Sequence, residues 1–154
     1  MNKEECNNAT REHIINVSKF INKVISKLIN RADNHDTSKL ISPEVDIFTE
    51  FTPKLANSTY GSDEYKDFMK NMKIALDHHY STNRHHPEFH NNGIKDMNLV
   101  DLIEMICDWY AATLRHKDGD IIKSIELNQK RFGYSDELKQ IFKNTIEDLN
   151  NGKV

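Results

Sequence analysis

The sequence predicts an all-α fold of five to seven helices, and three observations carry that prediction. Apolar residues recur at three- to four-residue spacing over most of the chain. Period-two alternation of β-branched residues never persists beyond a few positions. Only 5 Gly and 3 Pro punctuate the 154 residues.

The elements follow in order. From Asn8 or Thr10 to Arg31, Ile14, Val17, Ile21, Val24, Ile25 and Leu28 form one face of a long amphipathic helix that ends in Ala32-Asp33-Asn34. A short helix is expected around Thr37 to Ile41, stopped by Ser42-Pro43, with another turn or two from Glu44 to Phe51. Pro53, Asn57, Ser58 and Gly61 mark a loop, after which Ser62 caps a helix through Phe68, Met72, Ala75 and His79 to about Thr82. Asn83 to Met97, with Pro87 and Gly93, is irregular. The next helix, Asn98 to His116, is apolar almost all round, which suits a central, buried position. The Asp118-Gly119 turn opens a helix from Asp120 to Arg131, and Ser135 caps a last one through Leu149. That final helix is amphipathic, and its polar face suits solvent or a second subunit.

Length and the lack of any linker or repeat predict a single domain over residues 1–154. A formal charge of −3 without a long basic run argues against polymeric nucleic acid and favours a small-molecule ligand. No segment approaches a membrane span, and the acidic start MNKEECNN does not resemble a signal peptide. Cys6 and Cys107 lack any CxxC context and fit a reducing compartment. The expectation is therefore a cytoplasmic protein. Abundant Asn, Ile and Lys fit an AT-rich coding genome such as that of a low-GC bacterium or its phage, in which case the compartment is the host cytoplasm.

Histidine is the unusual count, at 8, with His78, His79, His85, His86 and His90 close together. His79 aligns with the apolar Phe68, Met72 and Ala75 and is the inward-facing member of its pair, whereas His78 follows Asp67 and Asn71. His85 and His86 follow closely enough for the chain to aim one imidazole at the same point. On the late helix, Asp101, Glu104 and Asp108 fall within about 60° of one another at 100° per residue, with Arg115 on the same line. That stripe is either a solvated face or, at Asp108, a carboxylate aimed at a cation. His13 projects from the apolar face of the first helix, as a core histidine or a ligand. Asp36 of His35-Asp36 is either a helix cap or a ligand. Mixed imidazole and carboxylate donors suit Fe, Mn, Zn, Ni or Co rather than Ca. Trp109, Tyr110, Phe20 and Phe68 have the spacing of core residues, while Tyr80, Tyr60 and Asn83 suit either a pocket lining or helix ends.

The order His13, His35-Asp36, His79, His85-His86, Asp108 resembles the HD-domain superfamily of metal-dependent phosphohydrolases. His-Asp-Thr-Ser-Lys-Leu at 35 to 40 is similar to that family's His-Asp-x-Gly-Lys pattern, with Ser38 in place of Gly. His85-His86-Pro87-Glu88 is similar to the His-His-Glu element of the cyclic-dinucleotide branch, but with Pro87 inserted and without the Gly-Tyr-Pro triplet. The wording His-His-Tyr, His-His-Pro-Glu and Asp-Leu-Ile-Glu-Met-Ile-Cys-Asp-Trp looks more like a small HD-like family, frequent in phages and bacteria, without an assigned activity.

The resemblance implies one or two divalent transition metal ions. His13, His35, Asp36 and Asp108 would hold one; His79, His85 and His86 the other, with Asp36 bridging. It implies hydrolysis of a small nucleotide, a nucleoside monophosphate or a cyclic or oligomeric signal nucleotide, by a metal-activated hydroxide. Lys39 would face the phosphate, with Arg84 and Arg115 as further cations. Glu88 or Glu104 would move a proton or orient a ligand histidine. A di-iron oxygenase on the same ligand set and a catalytically inactive helical binding module are the competing readings.

Overall fold

The computed structural model describes residues 2–57, 62–115 and 119–152. Among them every regular element is helical: seven α-helices and three short 3-10 turns, with no strand. The all-α expectation holds. None of these helices is long and apolar enough to cross a membrane. The Ser58–Gly61 part of the expected loop, Tyr60, His116 and Asp118 lie outside the described residues.

The chain divides into two compact units, residues 1–35 and 36–154. The first unit is α1 (Lys3–Asn34), which begins earlier than the apolar pattern suggested. The reason is a capping box: the Asn2 side chain accepts from the Glu5 N–H and the Glu5 carboxylate accepts from the Asn2 N–H, each at 2.9 Å. Helix propagation from that nucleus needs no apolar residue.

The second unit opens with a 3-10 turn at Thr37–Leu40, followed by α2 (Glu44–Asn57), α3 (Asp63–Asn71) and α4 (Lys73–Thr82). α2 runs past Pro53, where a loop was expected. A proline removes one i→i−4 bond without obliging the helix to end. The single helix expected up to Thr82 is interrupted only at Met72, which is buried and whose ψ of −7° marks the join between α3 and α4. The segment after Thr82 carries 3-10 turns at Pro87–Phe89 and Gly93–Asp96. It leads to α5 (Leu99–Thr113), α6 (Ile121–Phe132) and α7 (Asp136–Asn151).

Two packing groups position the histidines. α2 packs against α4 and the Thr37–Leu40 turn. α5, α6 and α7 enclose the main core of Met105, Ile106, Ile121, Ile125, Tyr134, Phe142 and Ile146, whose larger side chains each contribute about 1.5–3 kcal/mol on burial. The helix starts are set by side-chain caps: Asn98 on the N–H groups of Val100 and Asp101, Asp120 on those of Ile122 and Lys123, and Ser135 on that of Leu138. The α5 capping box also brings the Asp101 carboxylate to the N–H of Asn98. From there it meets Arg84 in a two-pronged ion pair, Nε to Oδ1 at 3.3 Å and Nη2 to Oδ2 at 3.0 Å. This fully buried carboxylate ties the histidine-bearing segment to α5.

Candidate metal centre

Among the described residues Asp36 is the one non-glycine with a positive φ, at φ 54° and ψ 16° in the left-handed region. Aspartate tolerates that region better than most residues. It stands at the N-cap position of the 3-10 turn, yet its side chain makes no capping hydrogen bond. The carboxylate faces histidines instead: Oδ1 lies 3.4 Å from His79 Nε2 and 3.5 Å from His85 Nε2. Of the two readings of Asp36, the side-chain cap is absent, and the carboxylate is placed where it could serve as a ligand.

His79 comes from the buried face of α4 and His85 and His86 from the segment that follows, where the chain turns back at Asn83. The Nε2 atoms of His79 and His86 are 2.8 Å apart. Asp36, His79, His85 and His86 each offer one donor atom, and the four atoms lie within 4.8 Å of one another. Donors about 2.0–2.1 Å from a common ion stand about 3.0 Å apart at octahedral angles and about 3.3 Å apart at tetrahedral ones. The observed 2.8, 3.4 and 3.5 Å separations bracket those values. The residues fit a transition metal ion with one carboxylate and up to three imidazoles as ligands.

The opposite edges of two rings meet carboxylates. Glu44, the first residue of α2 and fully buried, places Oε2 2.9 Å from His79 Nδ1 and Oε1 2.7 Å from His78 Nδ1. An ionised carboxylate only accepts hydrogen bonds, so the facing Nδ1 carries the proton and the His79 Nε2 lone pair points at the cluster. The Asn83 amide nitrogen, 3.0 Å from the same Nδ1, is a donor whose two protons have acceptors in Ser38 Oγ and the His79 carbonyl. Glu104 Oε1 lies 3.2 Å from His85 Nδ1, close enough for its charge to act on that ring but outside hydrogen-bond geometry. Such outer carboxylates fix the orientation and tautomer of metal-binding histidines. Burial, reinforced by neighbouring His85 and His79, pushes the His86 pKa down to about 3. Burial, with the Lys39 cation adding to it, also lowers that of His79. Neutral imidazoles are the form a metal ion takes.

The acidic stripe of α5 therefore faces the histidines rather than solvent. Asp101 holds Arg84, Glu104 meets His85 Nδ1, and Asp108 Oδ2 lies 4.0 Å from His85 Nε2 at the edge of the cluster. Arg84, expected to meet phosphate, instead has its guanidinium fork on Asp101. Glu88, expected to move a proton, accepts from Arg131 Nη2 at 2.7 Å. Lys39 donates to Asp36 Oδ2 at 2.5 Å, and it lines a cavity of about 420 Å³ together with Arg115, His79 and His86. His13 lies on α1 and His35 follows its last residue; both belong to the first unit, and the cluster described here is built from the second alone.

Glu44 is the residue that spacing did not reveal, because its partners lie 34 and 35 positions along the chain. One signal was present: Glu44 shares a helical face with Phe48 and Phe51, an acid at the head of an apolar stripe. No curated protein and no solved structure matches the chain. Residues 2–150 match the model of a family described as a family of unknown function (DUF5662), and the chain belongs to that family.

Proposed function

We propose that the protein is a metal-dependent phosphohydrolase acting on a small nucleotide, in the manner of the HD-domain superfamily that its ligand order resembles. The observation that carries this reading is the convergence of Asp36, His79, His85 and His86 beside a cavity lined by two cations, Lys39 and Arg115. A divalent transition metal held by those four residues supplies Lewis acidity and a water of lowered pKa.

The chain's own groups do the rest. Asp36 divides its oxygens between the cluster and Lys39, so the lysine ammonium stands beside the carboxylate that would hold the ion. Lys39 and Arg115 hold the phosphate in the cavity, Arg115 by the paired donors of its planar fork. Arg115 and Lys39 are the two cations of that lining. Glu44 keeps a proton on the outer nitrogen of His79 and thereby keeps its inner lone pair directed inward, and the Glu104 carboxylate stands beside the outer nitrogen of His85.

The test is product analysis. The full chain, loaded in turn with Mn, Fe, Co, Ni or Zn, is incubated with nucleoside monophosphates and with cyclic mono- and dinucleotides. The reading expects release of phosphate or of a linear nucleotide by at least one loaded form, and loss of turnover in Asp36→Ala and His79→Ala. Oxygen consumption by the iron form without hydrolysis would replace this reading with the oxygenase, and metal binding without any turnover would replace it with the binding module.

A further inference from the structure

Two cavities are lined by residues of the Asp36–histidine cluster or its edge, and they differ in charge. The first, described above, carries Lys39 and Arg115. The second, of about 500 Å³, is bounded by Asp108 of the cluster edge, Trp109 and Phe132, with Ser124 and Asn128 as neutral polar groups. Its cation, Arg131, is ion-paired with Glu88, another residue of the lining. Tyr80 and His86 line both cavities, so the two meet at a ligand face of the cluster.

We propose that a substrate lies across the cluster in one direction only, its phosphate on the Lys39–Arg115 side and its leaving group, an alcohol bearing a planar heteroaromatic ring, in the Trp109 cavity. This deepens the phosphohydrolase reading and rests on it for the word leaving group. The chemistry of the second cavity selects the ring. Trp109, which lies parallel to Phe132, and Tyr80 supply aromatic surface of the kind on which bases stack. The Asn128 amide donates one N–H to Ser124 Oγ at 3.4 Å and keeps its second N–H and its oxygen for a heteroaromatic edge. The volume lies within the range of about 300–1,000 Å³ usual for small-molecule sites. Because Arg131 is paired with Glu88, the ring side offers a second phosphate less than the Lys39–Arg115 side does, and a monoester of a nucleoside fits better than a dinucleotide. In hydrolysis the water oxygen bonds to phosphorus, the bond from phosphorus to the nucleoside oxygen breaks, and that oxygen takes up the proton released by the water.

Trp109 is the chain's only tryptophan, so its fluorescence reports this cavity directly. The full chain without added metal is titrated with adenosine, adenosine monophosphate and inorganic phosphate. Adenosine and its monophosphate should quench Trp109, whereas inorganic phosphate should leave it unchanged. Arg115→Met should weaken the monophosphate by roughly tenfold while leaving adenosine unaffected, since only the former carries the anion that the fork would hold. Asn128→Leu should weaken both. No response to adenosine at millimolar concentration, or equal weakening of both compounds by Arg115→Met, would overturn the placement. The readout needs no turnover. Quenching without hydrolysis would thus keep the ring site and remove the hydrolase, and hydrolysis without quenching would do the reverse.

Discussion

Replacing Glu44 by glutamine changes one atom of a fully buried side chain and tests the logic of the cluster. Both carboxylate oxygens accept from histidine Nδ1 atoms, at 2.7 Å from His78 and 2.9 Å from His79. Glutamine keeps the shape but offers one acceptor and one donor group, so either a donor faces a donor or one ring moves its proton to Nε2. A proton on His79 Nε2 would occupy the lone pair aimed at Asp36 and His86. Loss of one charge-assisted hydrogen bond costs about 1.5–3 kcal/mol of stability in the metal-free chain. Loss of the orienting carboxylate weakens metal binding by about 10–100-fold. The assay is competition for Zn²⁺ or Co²⁺ against a chelator of known affinity, alongside denaturant unfolding of the metal-free chain and nitrogen-15 NMR of the His79 tautomer. Glu44→Gln should shift all three. An unchanged affinity and an unchanged Nδ1–H tautomer, with stability alone reduced, would refute the positioning role and leave Glu44 a structural residue.

Other consequences are independent of the cluster's chemistry. Tyr134 donates its hydroxyl to the Ile125 carbonyl, and burial raises its pKa to about 12. Because the folded value exceeds the unfolded one, near 10, the stabilisation is complete below about pH 10 and is lost as the pH rises towards 12. The native chain should thus lose roughly 2–3 kcal/mol more than Tyr134→Phe across that window, as read by denaturant unfolding at stepped pH. Parallel alkaline limbs would contradict the assignment. Asp101→Ala removes both the Arg84 pair and the bond to the Asn98 N–H. It should cost about 2–3 kcal/mol, and Arg84→Ala less, because the arginine side chain is 42% exposed and water replaces part of the interaction. Equal losses in the two variants would place the stabilisation in the ion pair alone.

Much of the site's architecture was legible in local periodicity. The alignment of His79 with Met72 and Ala75 predicted an inward ring, and that ring is 3% exposed. The 100° rule placed Asp101, Glu104 and Asp108 on one line, which left open whether the line met solvent or a site; packing resolves it, because Arg84 and His85 lie against it. The cap signals at Asn98, Asp120 and Ser135 are local and read directly. What periodicity could not supply is the meeting of distant segments. Glu44 looks like an ordinary acid in the first turn of a helix, and only the packing of α2 on α4 turns it towards two histidines. Arg84 and Glu88 look like free charges in an irregular stretch, and their partners Asp101 and Arg131 lie 17 and 43 residues away. The start of α1 was missed for the opposite reason: its Asn2–Glu5 box is local, but polar, and an apolar pattern does not register it.

The most direct test of the account is the metal content of the untagged full chain, purified without chelator and measured by mass spectrometry beside Asp36→Ala, His79→Ala and His90→Ala. His90 is the control because its Nε2 is directed to the Arg84 carbonyl at 2.9 Å rather than to the cluster. At least about one equivalent of a transition metal is expected in the native chain and in His90→Ala, with most of it lost from Asp36→Ala and His79→Ala. Equal metal in all four proteins, or none in the native chain after reconstitution, would contradict it.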